Sequence, residues 1–144
     1  MRRIALLAIA ALGLAACSQG PKGVLTAGAW TCTETDASLS IRFLGDGKLT
    51  SDVSLDDPSP DGLHVKLKTG GSWDLKGEDE LSFAFTDVAI VEAQRGGAPL
   101  EQAEAEYFKG MFSNPDPVST KITSISTNKL VMSQDGRDDM TCTR

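Results

Sequence analysis

The stretch LSIRFLGDGKLTSDVSLDDPSPDGLHVKL, residues 39–67, alternates polar side chains with side chains that are apolar or small. The apolar or small positions are Leu39, Ile41 and Phe43, then Leu49, Ser51, Val53 and Leu55, then Leu63, Val65 and Leu67. A period of two is typical of strands that bury one face. Turn residues separate the runs, at 45–47 and at 57–62, and such turns are typical of hairpins and loops between strands. The stretch therefore predicts consecutive antiparallel strands.

The same pattern extends over most of the chain. Further strands are predicted at residues 72–76, 81–91 with a bend near Asp87, 121–126, 129–133 and 139–143. About eight short strands at regular spacing favour a small antiparallel meander, closed as a barrel or packed as a sandwich. We therefore expect a mainly β chain with one barrel domain over residues 29–144.

One segment departs from this period and predicts an amphipathic helix before the last strands. It follows Gly96-Gly97, Pro99 suits a first helical position, and Glu101 and Glu104 lie near the positive end of the helix dipole. Its apolar residues recur at helical spacing: Leu100, Ala103, Tyr107, Phe108, Met111 and Phe112. We expect the helix to end near residue 113 and to cover the core at one end or side of the barrel. The alternative is a mobile lid, or an interaction face formed by Tyr107, Phe108, Met111 and Phe112.

Two parts of the chain are similar to each other. GAWTCTETDASLSIRF begins at Gly28 and GSWDLKGEDELSFAF begins at Gly71, and both contain G-x-W followed later by Leu-Ser and a phenylalanine. The similarity indicates either an internal duplication or the ordinary recurrence of hairpins. In both parts we expect the tryptophan to point inward and to close an end of the core.

Together with the turn at Asp46-Gly47, the two G-x-W motifs resemble those of lipocalin-like bacterial domains. The resemblance spans residues 28–144 and implies a small meander barrel whose ends are packed by Trp30 and Trp73. It also implies a basic side chain from the last strand against the first tryptophan. Arg144 is suited to this role, because it lies two residues beyond Cys142 and therefore on the same face of the strand.

The first 17 residues are typical of an export signal. Arg2 and Arg3 precede an apolar run of 13 residues, from Ile4 to Ala16. Such a run covers about 20 Å as a helix, short of the roughly 30 Å needed to cross a bilayer. The run ends in Leu14-Ala15-Ala16 and is followed by Cys17. These four residues resemble the lipobox of bacterial lipoproteins.

The lipobox resemblance implies a signal peptide over residues 1–16, which is cut before an acylated Cys17. Residues 17–28 are then the lipidated cysteine and a tether, unless Val24 and Leu25 already pack on the domain. In that family, an aspartate after the cysteine favours retention in the inner membrane. Here Ser18 and Gln19 follow Cys17, so the resemblance favours an outer-membrane anchor with the domain facing the periplasm. The alternative is an unmodified cysteine buried in an apolar helix.

Cys32 and Cys142 remain as one pair if Cys17 carries lipid. In an oxidising compartment we expect them to form a disulfide that ties the first strand of the domain to the last. The alternatives are two free buried thiols, or a zinc site, which is disfavoured because His64 is the only histidine.

Charge and motifs disfavour several functional classes. Removal of residues 1–16 takes away two arginines and no acid, so the net charge changes from −6 to −8, which disfavours nucleic-acid binding. His64 points to the polar face of its strand, and the chain lacks a G-x-S-x-G motif. Residues 57–62 resemble the start of an EF-hand loop, but Lys68 stands where a glutamate is needed, which leaves at most a weak calcium site. We therefore expect no enzyme, no cofactor and no dedicated metal site.

Two functions are consistent with these observations. The first is an envelope accessory lipoprotein that binds a protein partner through the helix or an acidic loop. The second is a lipocalin-like carrier that holds a small apolar ligand between the strands and the helix. We favour the first, because the chain is rich in ordinary turns and small for a cavity, since eight short strands can be filled by their own side chains.

Overall fold

The computed structural model describes residues 19–144, which form a closed antiparallel β-barrel. Its strands are β1 Ala29–Glu34, β2 Ala37–Phe43, β3 Lys48–Asp56, β4 Leu63–Lys76, β5 Glu80–Arg95, β6 Ala98–Pro99, β7 Asn114–Ile125, β8 Lys129–Gln134 and β9 Arg137–Thr143. Its helices are α1 Pro21–Thr26 and α2 Gln102–Phe112. The prediction of a mainly β meander barrel with a helix before its last strands is confirmed. The predicted signal peptide and Cys17 lie outside the described residues.

Eight strands form the barrel wall in the order in which they occur along the chain. Each pairs with its neighbour, β5 pairs with β7, and β1 pairs with β9 to close the barrel. The two-residue strand β6 pairs only with the end of β5. Gly47 has φ 82° in the predicted turn between β2 and β3, a conformation that glycine adopts without strain.

Strands β4 and β5 are longer than the sequence pattern predicts, at 14 and 16 residues. We expected separate strands at 63–67 and 72–76, but β4 continues through Gly70-Gly71 as an irregularity opposite Asp87. A Cβ added to Gly71 would lie 1.8 Å from the carbonyl oxygen of Ala84, so glycine is needed there for the two strands to pair. The glycine pair therefore lies inside one strand and faces a bulge at Thr86 of β5, next to the bend that was predicted near Asp87.

The hydrophobic core fills one end of the barrel, which we call the closed end. Here β1 begins, β9 ends and α1 packs across the opening. The core consists of Leu25, Trp30, Cys32, Ile41, Phe43, Leu49, Trp73, Leu81, Ile122, Leu130, Met132 and Cys142. At the opposite, open end, β1 ends and β9 begins.

Helix α1 belongs to the barrel domain. Pro21 occupies its first turn, Leu25 is fully buried, and Val24 packs against the core. Residues 21–26, which we assigned to a flexible tether, are therefore folded on the closed end, in the arrangement that we gave as the alternative. Burial of Leu25 and Val24 favours this arrangement over an extended tether.

Helix α2 begins at Gln102, and not at Pro99, because residues 98–99 pair with β5 and the Leu100 N–H donates to the carbonyl of Ala93. β7 pairs with β5 only between Glu80 and Phe85, so α2 returns the chain alongside the part of β5 that β7 does not reach. None of the helix residues is buried. The helix packs on the side of the barrel against β5, as expected, but it does not cover the core.

Candidate functional site

The seam between the first and last barrel strands is the shortest pairing in the wall. β1 and β9 share two registered residue pairs, Thr31 with Thr143 and Cys32 with Cys142. The two cysteines are joined, with an S–S distance of 1.95 Å and a Cα–Cα distance of 4.1 Å. A covalent bond therefore closes the barrel at the point where hydrogen bonds between strands are fewest.

The closed end is held by a group of contacts around Trp30. Its indole N–H donates to the carbonyl of Leu25 at 3.1 Å, and the Arg144 guanidinium lies 4.2 Å from the ring centroid. Arg144 also donates to the carbonyls of Val24 at 2.9 Å and Thr127 at 2.5 Å. The last residue of the chain thereby joins α1, β1 and the turn before β8, and Trp30 is sealed from solvent.

Trp73 packs in the same closed end. Its indole N–H donates to the carbonyl of Leu44 at 2.8 Å, and its ring meets Phe43 edge to face at 5.2 Å. The Lys22 ammonium of α1 lies 5.7 Å from the Trp73 ring centroid. Both tryptophans therefore belong to a solid end of the barrel, and neither lines the cavities described next.

The open end of the barrel encloses a cavity of about 660 Å³. It is lined by Leu39, Ile41, Phe43, Phe83, Phe85, Phe112, Val118, Ser119, Thr120, Met132, Asp135, Arg137 and Met140. A neighbouring cavity of about 300 Å³ shares Leu39, Phe85, Phe112, Arg137 and Met140 with it. We call the two cavities together the hollow.

The walls of the hollow are mostly apolar. Phe83 and Phe85 lie on β5 with ring centroids 5.6 Å apart, and Phe112 reaches the hollow from the end of α2. Ser51 and Thr69 are buried between the core and the open end, where their hydroxyls share a hydrogen bond of 2.5 Å. The expectation that the strands fill their own interior holds for the closed end only, because β4, β5 and α2 extend the wall beyond the core.

The predicted interaction face on α2 is divided between two sides of the helix. Phe108 and Phe112 are half-buried, whereas Tyr107 and Met111 are 66% and 59% exposed. The Tyr107 and Phe108 rings meet edge to face at 6.0 Å. The four residues therefore do not form one surface: Phe112 lines the hollow, and Tyr107 and Met111 face outward.

His64 lies in a charged cluster on the outer face of the barrel near the open end. Its Nδ1 is 3.2 Å from an Asp56 oxygen, and its Nε2 is 3.5 Å from a Glu92 oxygen. The Lys66 ammonium lies 3.2 Å from the same Glu92 oxygen. A hydrogen bond and the positive charge of Lys66 hold the pKa of Glu92 below its ordinary value, with a smaller contribution from His64.

Substitution of Lys66 by methionine is expected to raise the pKa of Glu92 towards its ordinary value. The folded-state pKa of Glu92 is lowered, so the stabilisation by this pair is present above the unfolded pKa and is lost as the pH falls through the folded pKa. Carboxyl ¹³C NMR titration measures this directly. Lys68→Met removes a lysine from the same outer face of β4 and should leave Glu92 unchanged. Equal titration of Glu92 in both variants and the parent would contradict the pairing.

The acidic loop at residues 57–62 is accounted for by turn chemistry. The backbone N–H of Ser59 donates to Oδ1 of Asp57 at 2.9 Å, and the Gly62 N–H donates to the carbonyl of Ser59. The first of these contacts is the main reason that the pKa of Asp57 is lowered. Within residues 19–144, no three His, Cys, Asp or Glu side chains are placed to hold one metal ion.

Comparison with known proteins adds no assignment: the chain matches no protein-family model and no curated protein sequence. In the part of the chain that the structure describes, no helix is long and apolar enough to cross a membrane.

Proposed function

We propose that this chain is a carrier that binds a small apolar ligand in the hollow of its barrel. The observation that supports the proposal is the cavity of about 660 Å³, walled mainly by aromatic, aliphatic and methionine side chains. Small-molecule sites commonly occupy about 300–1,000 Å³, are concave and have mostly apolar walls with a few polar groups. The hollow meets these three conditions, with polar groups such as Ser119, Thr120 and Arg137 among its lining residues.

The solid closed end explains how the open end can stay hollow. Side chains that fill a barrel supply its stability, and here most of it comes from the core around Trp30 and the Cys32–Cys142 bond at the closed end, with Val65 and Leu67 buried on β4 towards the open end. The open end is then free to exchange its contents. A ligand gains about 0.8 kcal/mol for each methylene group that it buries there.

We further propose that the carrier is anchored to the outer membrane through a lipid on Cys17 and faces the periplasm. The support is the Leu14-Ala15-Ala16-Cys17 motif and the start of α1 at Pro21, four residues after the cysteine. Four residues span at most about 14 Å. The closed end would therefore lie next to the membrane, and the open end would face away from it.

The carrier function is tested by calorimetric titration with hexanol, octanol and decanol, uncharged probes that differ only in tail length. We expect the affinity to rise about fourfold for each added methylene, because the tail leaves water for an apolar cavity. Saturable binding with this dependence supports the proposal. Absence of binding by all three alcohols would contradict it.

The position of the ligand is tested by blocking the hollow. Leu39 lines both cavities, so Leu39→Trp is expected to weaken decanol binding at least about tenfold by occupying the space. Thr50→Trp places the same ring on the exposed outer face of β3 and should leave binding unchanged. Thermal melting shows whether each variant is folded. Equal loss of binding in both folded variants would place the ligand elsewhere.

A second candidate function is binding of a protein partner by α2, which the exposure of Tyr107 and Met111 favours. A photo-crosslinking residue at position 107 is expected to capture one specific partner in the cell envelope, whereas the same residue at position 50 should not. Identical capture patterns at the two positions would contradict a partner site on α2.

A further inference from the structure

The hollow contains one cation that faces both of its cavities. Arg137, the first residue of β9, lines the larger and the smaller cavity, together with Phe85, Phe112 and Met140. Asp135 lines only the larger cavity, and Glu34 lines only the smaller one. Arg137 is therefore the charged residue that lines both cavities, and its charge is positive.

Arg137 forms no ion pair with the described residues. The ion pairs found among residues 19–144 do not include it, so no carboxylate of the described chain lies within 4.0 Å of its guanidinium. A guanidinium stays protonated at any physiological pH and presents five N–H donors in a planar fork. Its preferred partners are the oxygens of a carboxylate or phosphate, which two parallel hydrogen bonds can hold.

We propose that the ligand of the hollow is an anionic amphiphile, whose apolar tail occupies the cavities and whose carboxylate or phosphate head binds Arg137. This inference rests on the proposed carrier function and specifies its ligand class. A tail packed against Phe83 and Phe85 has to leave its polar head at the solvent-facing edge of the hollow, which we call the rim, because no lining group in the apolar part of the hollow can solvate a charge. Arg137 is the cation at that rim.

The acidic residues of the rim oppose such a head and therefore restrict where it binds. Asp135 and Glu34 repel an anion, so the favourable position for the head is next to the Arg137 guanidinium and away from these two carboxylates. Removing one of these acids without changing the shape of the site, as in Asp135→Asn, is expected to tighten the binding of an anionic amphiphile about two- to threefold.

The test compares decanoate, decyl phosphate and decanol, which share a tail and differ in head group, by calorimetry below their micelle concentrations. In Arg137→Gln we expect about tenfold weaker binding of the two anions and less than a twofold change for decanol. Arg137→Lys keeps the positive charge but cannot form the two parallel hydrogen bonds, so it should recover only part of the loss. Arg42→Gln removes the same charge from the exposed outer face of β2 and should change none of the three affinities.

The outcomes separate this inference from the carrier function. Equal weakening of decanol and decanoate in Arg137→Gln, or no weakening of either anion, overturns the anionic head while the hollow remains a binding site. If the parent protein binds none of the three probes, both proposals are wrong. A tighter affinity for decyl phosphate than for decanoate would identify phosphate as the preferred head, with the same role for Arg137.

Discussion

Replacement of Cys32 and Cys142 by alanine is expected to lower the free energy of unfolding by about 4 kcal/mol. The bond closes a loop with a sequence separation of 110 residues, for which the chain-entropy model gives about 4.7 kcal/mol. The bond also joins the two strands with the shortest pairing in the barrel, so no long ladder of hydrogen bonds compensates for its loss. Urea denaturation of the parent and of the double variant measures the difference.

The control for this prediction is a reductant. Reduced parent protein should unfold close to the denaturation midpoint of the double variant, and the reductant should not change the variant itself. An unfolding free energy for the double variant within about 1 kcal/mol of the oxidised parent would contradict a stabilising bond at the seam.

Replacement of Trp30 by alanine is expected to cost about 4 kcal/mol of stability. Removal of a large aromatic side chain from a sealed core costs about 3–5 kcal/mol. Trp30 has no exposed surface, donates to the carbonyl of Leu25, and carries the Arg144 guanidinium on its ring. The variant should lose the core contact, one buried hydrogen bond and the packing of α1. Urea denaturation of the parent and of Trp30→Ala measures the difference in the free energy of unfolding.

Tyr107 provides the matched comparison, since it is an aromatic residue that is 66% exposed on α2. Tyr107→Ala is expected to change the free energy of unfolding by about 0.5 kcal/mol or less, as surface substitutions usually do. If Tyr107→Ala destabilised the protein as much as Trp30→Ala, α2 would be part of the core, and the separation of a solid end from a hollow end would be wrong.

The strands were predictable because alternation with a period of two is a local signal. The runs around Leu39, Leu49 and Leu63 needed no information about distant residues, and Gly47 marked the first turn by its backbone freedom alone. Gly71 was predicted to precede a separate strand, but it lies inside β4. Its actual role depends on the closeness of Ala84 in the next strand, which only the folded chain reveals.

The hollow was not predictable because alternation tells which face of a strand is inward, and not how much space the inward faces enclose. That space depends on the length of β4 and β5 and on the position of α2 outside the barrel interior. One signal was available: Leu81, Phe83 and Phe85 alternate, and the alternation resumes one residue out of phase at Val88 and Ile90, which indicates one long strand with a bulge. Arg137 carried no signal, since its side chain is exposed like that of most charged residues after a turn, and only the fold places it against the hollow.

The most direct test of the central claim uses the methionine methyl groups as reporters. Met132 and Met140 line the larger cavity, and Met111 is exposed on the outer side of α2. In ¹³C-methyl NMR spectra, decanol is expected to shift Met132 and Met140 and to show nuclear Overhauser contacts with them, while Met111 stays unchanged. Shifts confined to Met111, or no shifts at saturating decanol, would contradict a ligand inside the barrel.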